Sequence, residues 1–446
     1  MNSAIVTLTR HRQILVALAF ACAVFLIHAT SRVIIVSDSQ WSLYTAQSII
    51  RQGDINLDEY RPRIRELGKF GVRRSAGHVY NFFPIGASLL ALPFVAAYEF
   101  APEFTAAILP GVEYPADSPS PNDVLSVRLP MERAIASFYV ALAAFILVLI
   151  SLRWLSLPGA LVVGAVFAFA SPAWSTASRG LWQHGPSMFA LTATLWCLLK
   201  ATETKIDSCK FSQQSLFLIA AGFTLGASYI IRPTNSLSIV GLGIYTLWRF
   251  RLRSYAVPIG IALAIVPFIA LNLELYDRML PPYFRGARLG TSLPTLTSLL
   301  GTVLSPNRGL LIFCPWVVLA IWGFVLGTKT QNRALYIAFT GIVTLHWIVI
   351  STFPIWWGGH SYGPRLFSDM LPYLALGLVP VVQIAACNSY SGWIVKTLLA
   401  ITIAIAFAIN YRGATSYAVH GWNVAPHNVD ESQDRIWDWQ DMQVLR

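Results

Sequence analysis

Apolar runs of about 20 residues recur along this chain from Leu15 to Ala408, and each is long enough to cross a hydrocarbon core of about 30 Å as a helix. No other feature constrains the fold as strongly, because a chain in lipid must satisfy its backbone polar groups internally. The composition agrees. Over 446 residues the chain is 55% hydrophobic and only 12% charged, with mean hydropathy +0.57, whereas soluble domains carry about a quarter charged residues. An all-α polytopic membrane protein is expected, embedded among membrane lipids. Intrinsic disorder, a secreted disulfide scaffold and a nucleic-acid partner are excluded, and the net charge of +11 has to be sorted by side of the membrane before it implies any partner.

The runs lie near 13–36, 131–151, 159–176, 184–200, 214–231, 234–249, 255–273, 308–327, 334–353, 369–386 and 394–410, which predicts about eleven transmembrane helices. Arg10-His11-Arg12 before the first run marks an anchor with a cytoplasmic N-terminus. Alternation from there puts Arg10, Arg12, Arg153, Lys200, Lys205, Lys210, Arg249, Arg251, Arg253, Lys329, Arg333 and Lys396 inside, against only Glu203 and Asp207, as the positive-inside rule requires. The expected setting is the inner (cytoplasmic) membrane, with the C-terminus and the active site external. Residues 1–410 then form the transmembrane domain, with a long first external loop over 37–130, and 411–446 form a short external tail. Pro84–Phe100 is apolar but has external flanks on both sides, so it reads as a re-entrant or interfacial helix. The alternative is a true span paired with a second one hidden in 101–130. Cys22, Cys197 and Cys314 fall in spans and Cys209 and Cys387 in cytoplasmic turns, so no disulfide framework is available. No GxxxxGK[ST] or GxGxxG pattern suggests a nucleotide site.

Polar chemistry is therefore expected in the external segments. Asp38 follows the first span and precedes Trp41, Tyr44, Ile49 and Ile50, spaced for an amphipathic helix. Its carboxylate either caps that helix or takes a proton from a hydroxyl nucleophile. Arg61, Arg63, Arg65, Lys69, Arg73 and Arg74 follow, with Asp54, Asp58, Glu59 and Glu66 close by and His78 and Tyr80 just beyond. Such a run is either partly self-paired or a binder of phosphate. Near the end of the chain, Trp356-Trp357-Gly358-Gly359-His360-Ser361-Tyr362-Gly363-Pro364-Arg365 reads in two ways. It is an interfacial aromatic belt with a snorkelling Arg, or a site in which Arg365 holds phosphate while Trp357, His360 and Tyr362 contact a sugar. Trp182 and His184, in Trp182-Gln183-His184-Gly185-Pro186, likewise form either an interfacial cap or a sugar-contacting turn. Arg285, Arg288 and Arg308 are further external cations. The tail carries Trp422, Trp437 and Trp439, and it either packs over the outer face or lies among headgroups. Without HExxH or a clustered acid, no metal ligands are assigned.

Asp38 after the first span, Tyr44-Thr45-Ala46-Gln47-Ser48, Gly53-Asp54-Ile55-Asn56-Leu57 and the stretch Val79 to Pro93, together with Ser178 to Pro186, Ser305-Pro306-Asn307-Arg308-Gly309-Leu310-Leu311 and Trp356 to Arg365, resemble the GT-C membrane glycosyltransferases, including the family-39-like sugar transferases. The resemblance implies transfer of a sugar from a polyprenyl-phosphate carrier to a glycan, lipid or protein acceptor at the outer face, with inversion and without a nucleotide-sugar donor. It also implies that Asp38 is, or positions, the base, and that external arginines bind the donor phosphate. Two departures stand out. A second acid often neighbours the first in relatives, and here that position is Ser39; the Lys-Pro-Pro piece often found before the re-entrant helix reads Phe82-Phe83-Pro84. A divalent metal is accordingly not expected, and no cofactor is assigned. The alternatives are a polyprenyl-linked glycan ligase or polymerase, which would carry its main loop late in the chain, and a lipid or glycan transporter, which would show inverted repeats and midplane charges.

Overall fold

The computed structural model describes residues 2–118, 120–204, 213–284 and 293–446, with side chains from Arg10 onward. Lys205, Asp207, Cys209, Lys210, Arg285 and Arg288, as well as Pro119, lie outside the described residues. The chain opens with α1 (Asn2–Thr30) and then enters the first loop. That loop holds α2 (Ser42–Arg51), α3 (Arg61–Leu67), the hairpin β1 (Val72–Ser75) and β2 (His78–Asn81), α4 (Gly86–Phe100) and α5 (Pro102–Ile108). In the antiparallel hairpin Arg73 pairs with Tyr80 and Ser75 with His78, and Ser75 Oγ donates to Leu275 O at 3.0 Å, docking the hairpin on a later helix. There follow α6 (Arg128–Ser151), α7 (Leu157–Phe169), α8 (His184–Glu203), α9 (Gln213–Ile231), α10 (Ser236–Phe250) and α11 (Ala256–Tyr276). The last group is α12 (Leu296–Leu304), α13 (Leu310–Phe313), α14 (Val317–Gly327), α15 (Arg333–Ser351), α16 (Leu371–Ala385), α17 (Tyr390–Thr415) and α18 (Ala418–Gly421).

Seven helical segments among the described residues are long and apolar enough to cross a membrane. This is an integral membrane protein. One of the expected unbroken runs is interrupted. The 308–327 run breaks into α13 and α14 because Pro315 falls between them, removing a backbone donor and clashing with the preceding turn. At 11 residues, α14 is only about 16 Å long. The two runs over 234–273 form the separate helices α10 and α11, with the break at Arg251, whose φ is +52°. α4, the expected re-entrant element, has 15 residues and thus a length of about 22 Å, short of the hydrocarbon thickness. Its Ala87, Ala91 and Val95 face inward. α17 runs five residues past the expected boundary at 410.

The apolar windows within Arg365–Ala385 and Val124–Ser151 are mostly buried, whereas that within Tyr390–Thr415 is mostly exposed. α16 and α6 therefore form the axis, and α17 lies on the rim. Close approach depends on glycine. A Cβ on Gly222 would sit 2.1 Å from Val257 O, and one on Gly260 2.0 Å from Ile219 O, so α9 and α11 touch backbone to backbone, as small residues allow in membrane bundles. Gly222→Leu should therefore force the two helices apart and lower stability by about 1–3 kcal/mol, read as a drop in the thermal unfolding midpoint of the detergent-purified protein. An unchanged midpoint would show that this crossing is not tight.

Candidate functional site

Arg179 builds the frame of the site. It is fully buried, and its guanidinium donates to Trp174 O at 2.9 Å, to His28 O at 2.5 Å, to Ser31 O and Val33 O at 3.3 Å, and to Ser178 Oγ at 2.9 Å. A guanidinium has five N–H donors and no way to lose its charge, so its burial fixes the carbonyls it meets. Here it pins the exit of α1 to the 171–183 turn. Ile35 N then donates to Arg179 O at 2.8 Å, and Gly180 is required because a Cβ there would lie 2.1 Å from Ile35 O. The segment carrying Asp38 thus runs beside the segment carrying Trp182.

Asp38 does not cap the following helix. That helix starts at Ser42, with Trp41 in the cap position and no side-chain cap bond. The Asp38 carboxylate instead accepts from Arg365 Nη2 at 2.9 Å, and the Arg365 guanidinium lies 4.5 Å from the centre of the Trp182 ring. With side chains 23% and 16% exposed, the pair is sheltered but still reachable from outside. Arg365 Nε, Trp182 Nε1, Gln183 Oε1 and Ser361 Oγ are buried with no hydrogen-bond partner among the described residues. Buried polar groups are normally satisfied, so the unmet atoms of Arg365 and Trp182, two side chains in contact, mark where a polar ligand can bind. One turn deeper, Asp369 is fully buried and meets Arg232 Nε at 2.5 Å, with His184 Nδ1 at 3.9 Å. On the opposite side, Ser39 Oγ donates to Glu132 Oε2 at 2.5 Å, and Arg128 Nη1 donates to Glu132 Oε1 at 2.9 Å.

No protein-family model and no curated protein matches this sequence. Solved structures do match in fold. ArnT from Cupriavidus metallidurans in the apo state superposes with a TM-score of 0.54 at 11% identity, covering 94% of this chain and 80% of that one. The same protein bound to undecaprenyl phosphate gives 0.52 at 13% identity, covering 92% and 79%. The apo oligosaccharyltransferase of Archaeoglobus fulgidus gives 0.51 at 11% identity, covering 96% of this chain and 60% of its own. The chain has the GT-C fold.

Within this GT-C bundle the other sequence-derived residues lie apart from the Asp38–Arg365 pair or face inward. Arg61 Nη2 pairs with Asp58 at 2.8 Å, and Arg63 with Glu66 at 2.6 Å, so for these two the self-paired reading describes the structure. His78 Nδ1 also meets Asp58, at 2.6 Å. Although burial works the other way, Arg61 and His78 hold the Asp58 carboxyl below its usual range. Arg73 and Arg74 are exposed on β1. Tyr80 packs edge-on against Tyr276, and with Asn81, Phe83 and Asn272 it lines a cleft between the hairpin and α11. His184 is buried against Arg232 at 3.2 Å, not presented to solvent.

Trp357, His360, Tyr362 and Arg308 engage the C-terminal segments. Trp357 Nε1 donates to Asp430 at 2.7 Å, His360 Nε2 lies 2.8 Å from Asn428 Oδ1, and the buried Tyr362 hydroxyl donates to Ile409 O at 2.7 Å. Arg308 is no external cation. It is buried and donates to Trp357 O at 2.9 Å, Gly359 O at 3.2 Å, Asn423 Oδ1 at 2.7 Å and Gln443 Oε1 at 2.7 Å. Gln443 in turn donates to Ser361 O at 2.9 Å and Val419 O at 3.0 Å. The tail therefore packs over the end of the bundle that carries Arg365 and clamps the loop that delivers it. Sequence reasoning missed Glu132, Arg232, Arg179 and Asp369 as members of this end. Two signals could have found them: an ionisable residue at the head of an apolar run is seldom idle, and Arg179 already sits in one of the patches that resemble GT-C enzymes.

Arg308→Ala strands several buried carbonyl and amide acceptors, each worth about 1–3 kcal/mol when unmet. The expected outcome is a lower unfolding midpoint and faster proteolysis within 416–446. Acidification should act in the same direction. Arg446 and Arg435 hold the Asp441 carboxyl below its usual range, so its contribution is present above the unfolded value and is lost as pH falls through the folded one. Tail cleavage should then accelerate at the acid end. A tail equally resistant in the variant and the wild type would remove the clamp.

Proposed function

We propose that this protein is a membrane glycosyltransferase that moves a sugar from a polyprenyl-phosphate donor to an acceptor hydroxyl at the external face of the inner membrane, with inversion. The observation that carries the reading is the Asp38 carboxylate 2.9 Å from an Arg365 guanidinium stacked on Trp182, at the loop-bearing end of a GT-C bundle. The undecaprenyl phosphate bound by ArnT supports the choice of donor class.

In this scheme Asp38 takes the proton of the acceptor hydroxyl as its oxygen attacks the anomeric carbon from the face opposite the phosphate. The bond between the anomeric carbon and the phosphate oxygen breaks, and the electron pair leaves with polyprenyl phosphate. Arg365 takes the developing phosphate charge through fork-shaped contacts that Lys cannot reproduce, and its unpartnered Nε supplies a further donor. Trp182 holds the guanidinium plane by cation–π contact. Arg73 and Arg74 are exposed cations on the first-loop hairpin and draw the anionic donor toward the membrane surface. Ser39 stands where a second acid would help to hold a divalent ion, so arginine supplies the countercharge and no metal is invoked.

The test incubates the purified protein in lipid with a panel of polyprenyl-phosphate sugars and follows acceptor-dependent release of polyprenyl phosphate. Asp38→Asn should lose about 10²- to 10⁴-fold in turnover without loss of folding. Arg365→Lys should lower donor kcat/KM by about 10²-fold, the loss expected on removing a preorganised contact to developing charge, and a chelator should have little effect. Release by Asp38→Asn at more than about a tenth of the wild-type rate would end its assignment as base. Restoration of chelated enzyme by Mg²⁺ or Mn²⁺ would replace arginine with metal as the phosphate partner.

A further inference from the structure

Glu132 is a fully buried acid beside the Asp38 segment, and the proposed chemistry does not use it. It stands one turn into α6, 93 residues from the segment that carries Asp38. Its carboxylate accepts the Ser39 hydroxyl at 2.5 Å and Arg128 Nη1 at 2.9 Å, and the backbone N–H of Leu181 also bonds to it. Ser39 adjoins Asp38, and Leu181 adjoins Trp182, the ring on which Arg365 lies. Arg128 adds a bond to Gln40 O at 3.2 Å and rests 5.9 Å from the centre of the Tyr44 ring. One carboxyl group thus meets both segments that flank the Asp38–Arg365 contact, through the Ser39 hydroxyl and the Leu181 N–H.

We propose that Glu132 is the positioning residue of this site. Reached from Ser39 and Leu181 together, its carboxylate sets the separation of Asp38 from the Trp182–Arg365 stack. The carboxyl group is fully buried against Ser39 and Arg128, which suits it to orienting the base and not to taking the proton. Donors from Ser39 on one oxygen and Arg128 on the other hold the carboxyl group in one orientation. A base displaced by about 1 Å can lose about 10²-fold in rate, so a buried contact of this kind acts on turnover more than on donor binding.

The kinetic consequence rests on the transfer reading, whereas the structural one does not, and the test keeps the two apart. Thermal midpoints are measured for Asp38→Asn, Arg365→Gln and the double variant, first in the wild-type background and then with Glu132→Gln. Residues in contact couple, whereas independent ones add. In the wild-type background the double variant should lose less than the sum of the single losses, and with Glu132→Gln the losses should become additive. Coupling that persists undiminished without Glu132 overturns the proposal, as does its absence in the wild-type background, since there would then be no pair to align. If Glu132→Gln does not fold, Ser39→Ala cuts the same tie while leaving Glu132 on Arg128, and the same comparison decides.

In the turnover assay Glu132→Gln should lower kcat by about 10- to 100-fold with donor KM within about threefold of wild type, and Glu132→Asp should recover part of the loss. Equal kcat in Glu132→Gln and wild type overturns the proposal. A wild-type protein inert toward every polyprenyl-phosphate sugar would overturn the transfer reading alone, because the stability cycle needs no turnover.

Discussion

A buried guanidinium cannot shed its charge, so wherever one enters this bundle the surrounding chain must supply its hydrogen-bond partners. Arg179 and Arg308 meet that demand mainly with carbonyl oxygens. Arg232 meets it with the buried Asp369 carboxylate. The consequence is architectural. Arg179 fixes the exit of α1 to the 171–183 turn, Arg232 ties the start of α10 to the start of α16, and Arg308 draws the 356–365 loop and the tail onto the same end. Segments more than a hundred residues apart in sequence are brought into register by groups that no apolar packing could orient so narrowly.

Against that background the Asp38–Arg365 pair differs in kind. It is partly exposed, and it leaves unmet both Arg365 Nε and the Nε1 of the Trp182 ring against which the guanidinium lies. Arg179 and Arg308 spend all five donors, whereas Arg365 keeps hydrogen-bonding capacity in reserve. The difference separates a scaffold from a site on physical grounds, without reference to any relative. It also explains why the tail matters: the loop bearing Arg365 is held by Arg308 and Gln443 from behind, which leaves its front open.

Much of this was legible in the sequence, for reasons tied to particular residues. Asp38 stood out because an acid directly after a span and before an amphipathic stretch has few roles, and Arg365 because it closes a Gly- and aromatic-rich loop above a span. The cap reading of Asp38 was reasonable locally and failed because a partner 327 residues away outcompetes a backbone N–H. The cations of 61–74 divided in a way that only neighbours in space could decide, with Arg61 and Arg63 matched to acids three residues away. Trp357, His360 and Tyr362 have the composition of a sugar site, but their polar atoms are engaged by Asp430, Asn428 and Ile409. The break at Pro315 was visible as a proline within an apolar run, but hydropathy averaged over a window passes across it.

By itself the sequence determined that this chain is a helical membrane protein, that its polar chemistry gathers in a few loops, and which acid and which arginine stand at the mouths of those loops. Hydropathy and helix length are local properties, and the bilayer imposes them on every segment independently. Only the tertiary structure decided that Asp38 meets Arg365, that Glu132 stands behind Ser39, and that Arg308 belongs to the scaffold. Those choices depend on which buried charge finds which partner across the bundle. Electrostatic and hydrogen-bond satisfaction in a low-dielectric interior is a property of the whole packing, and no window of sequence contains it.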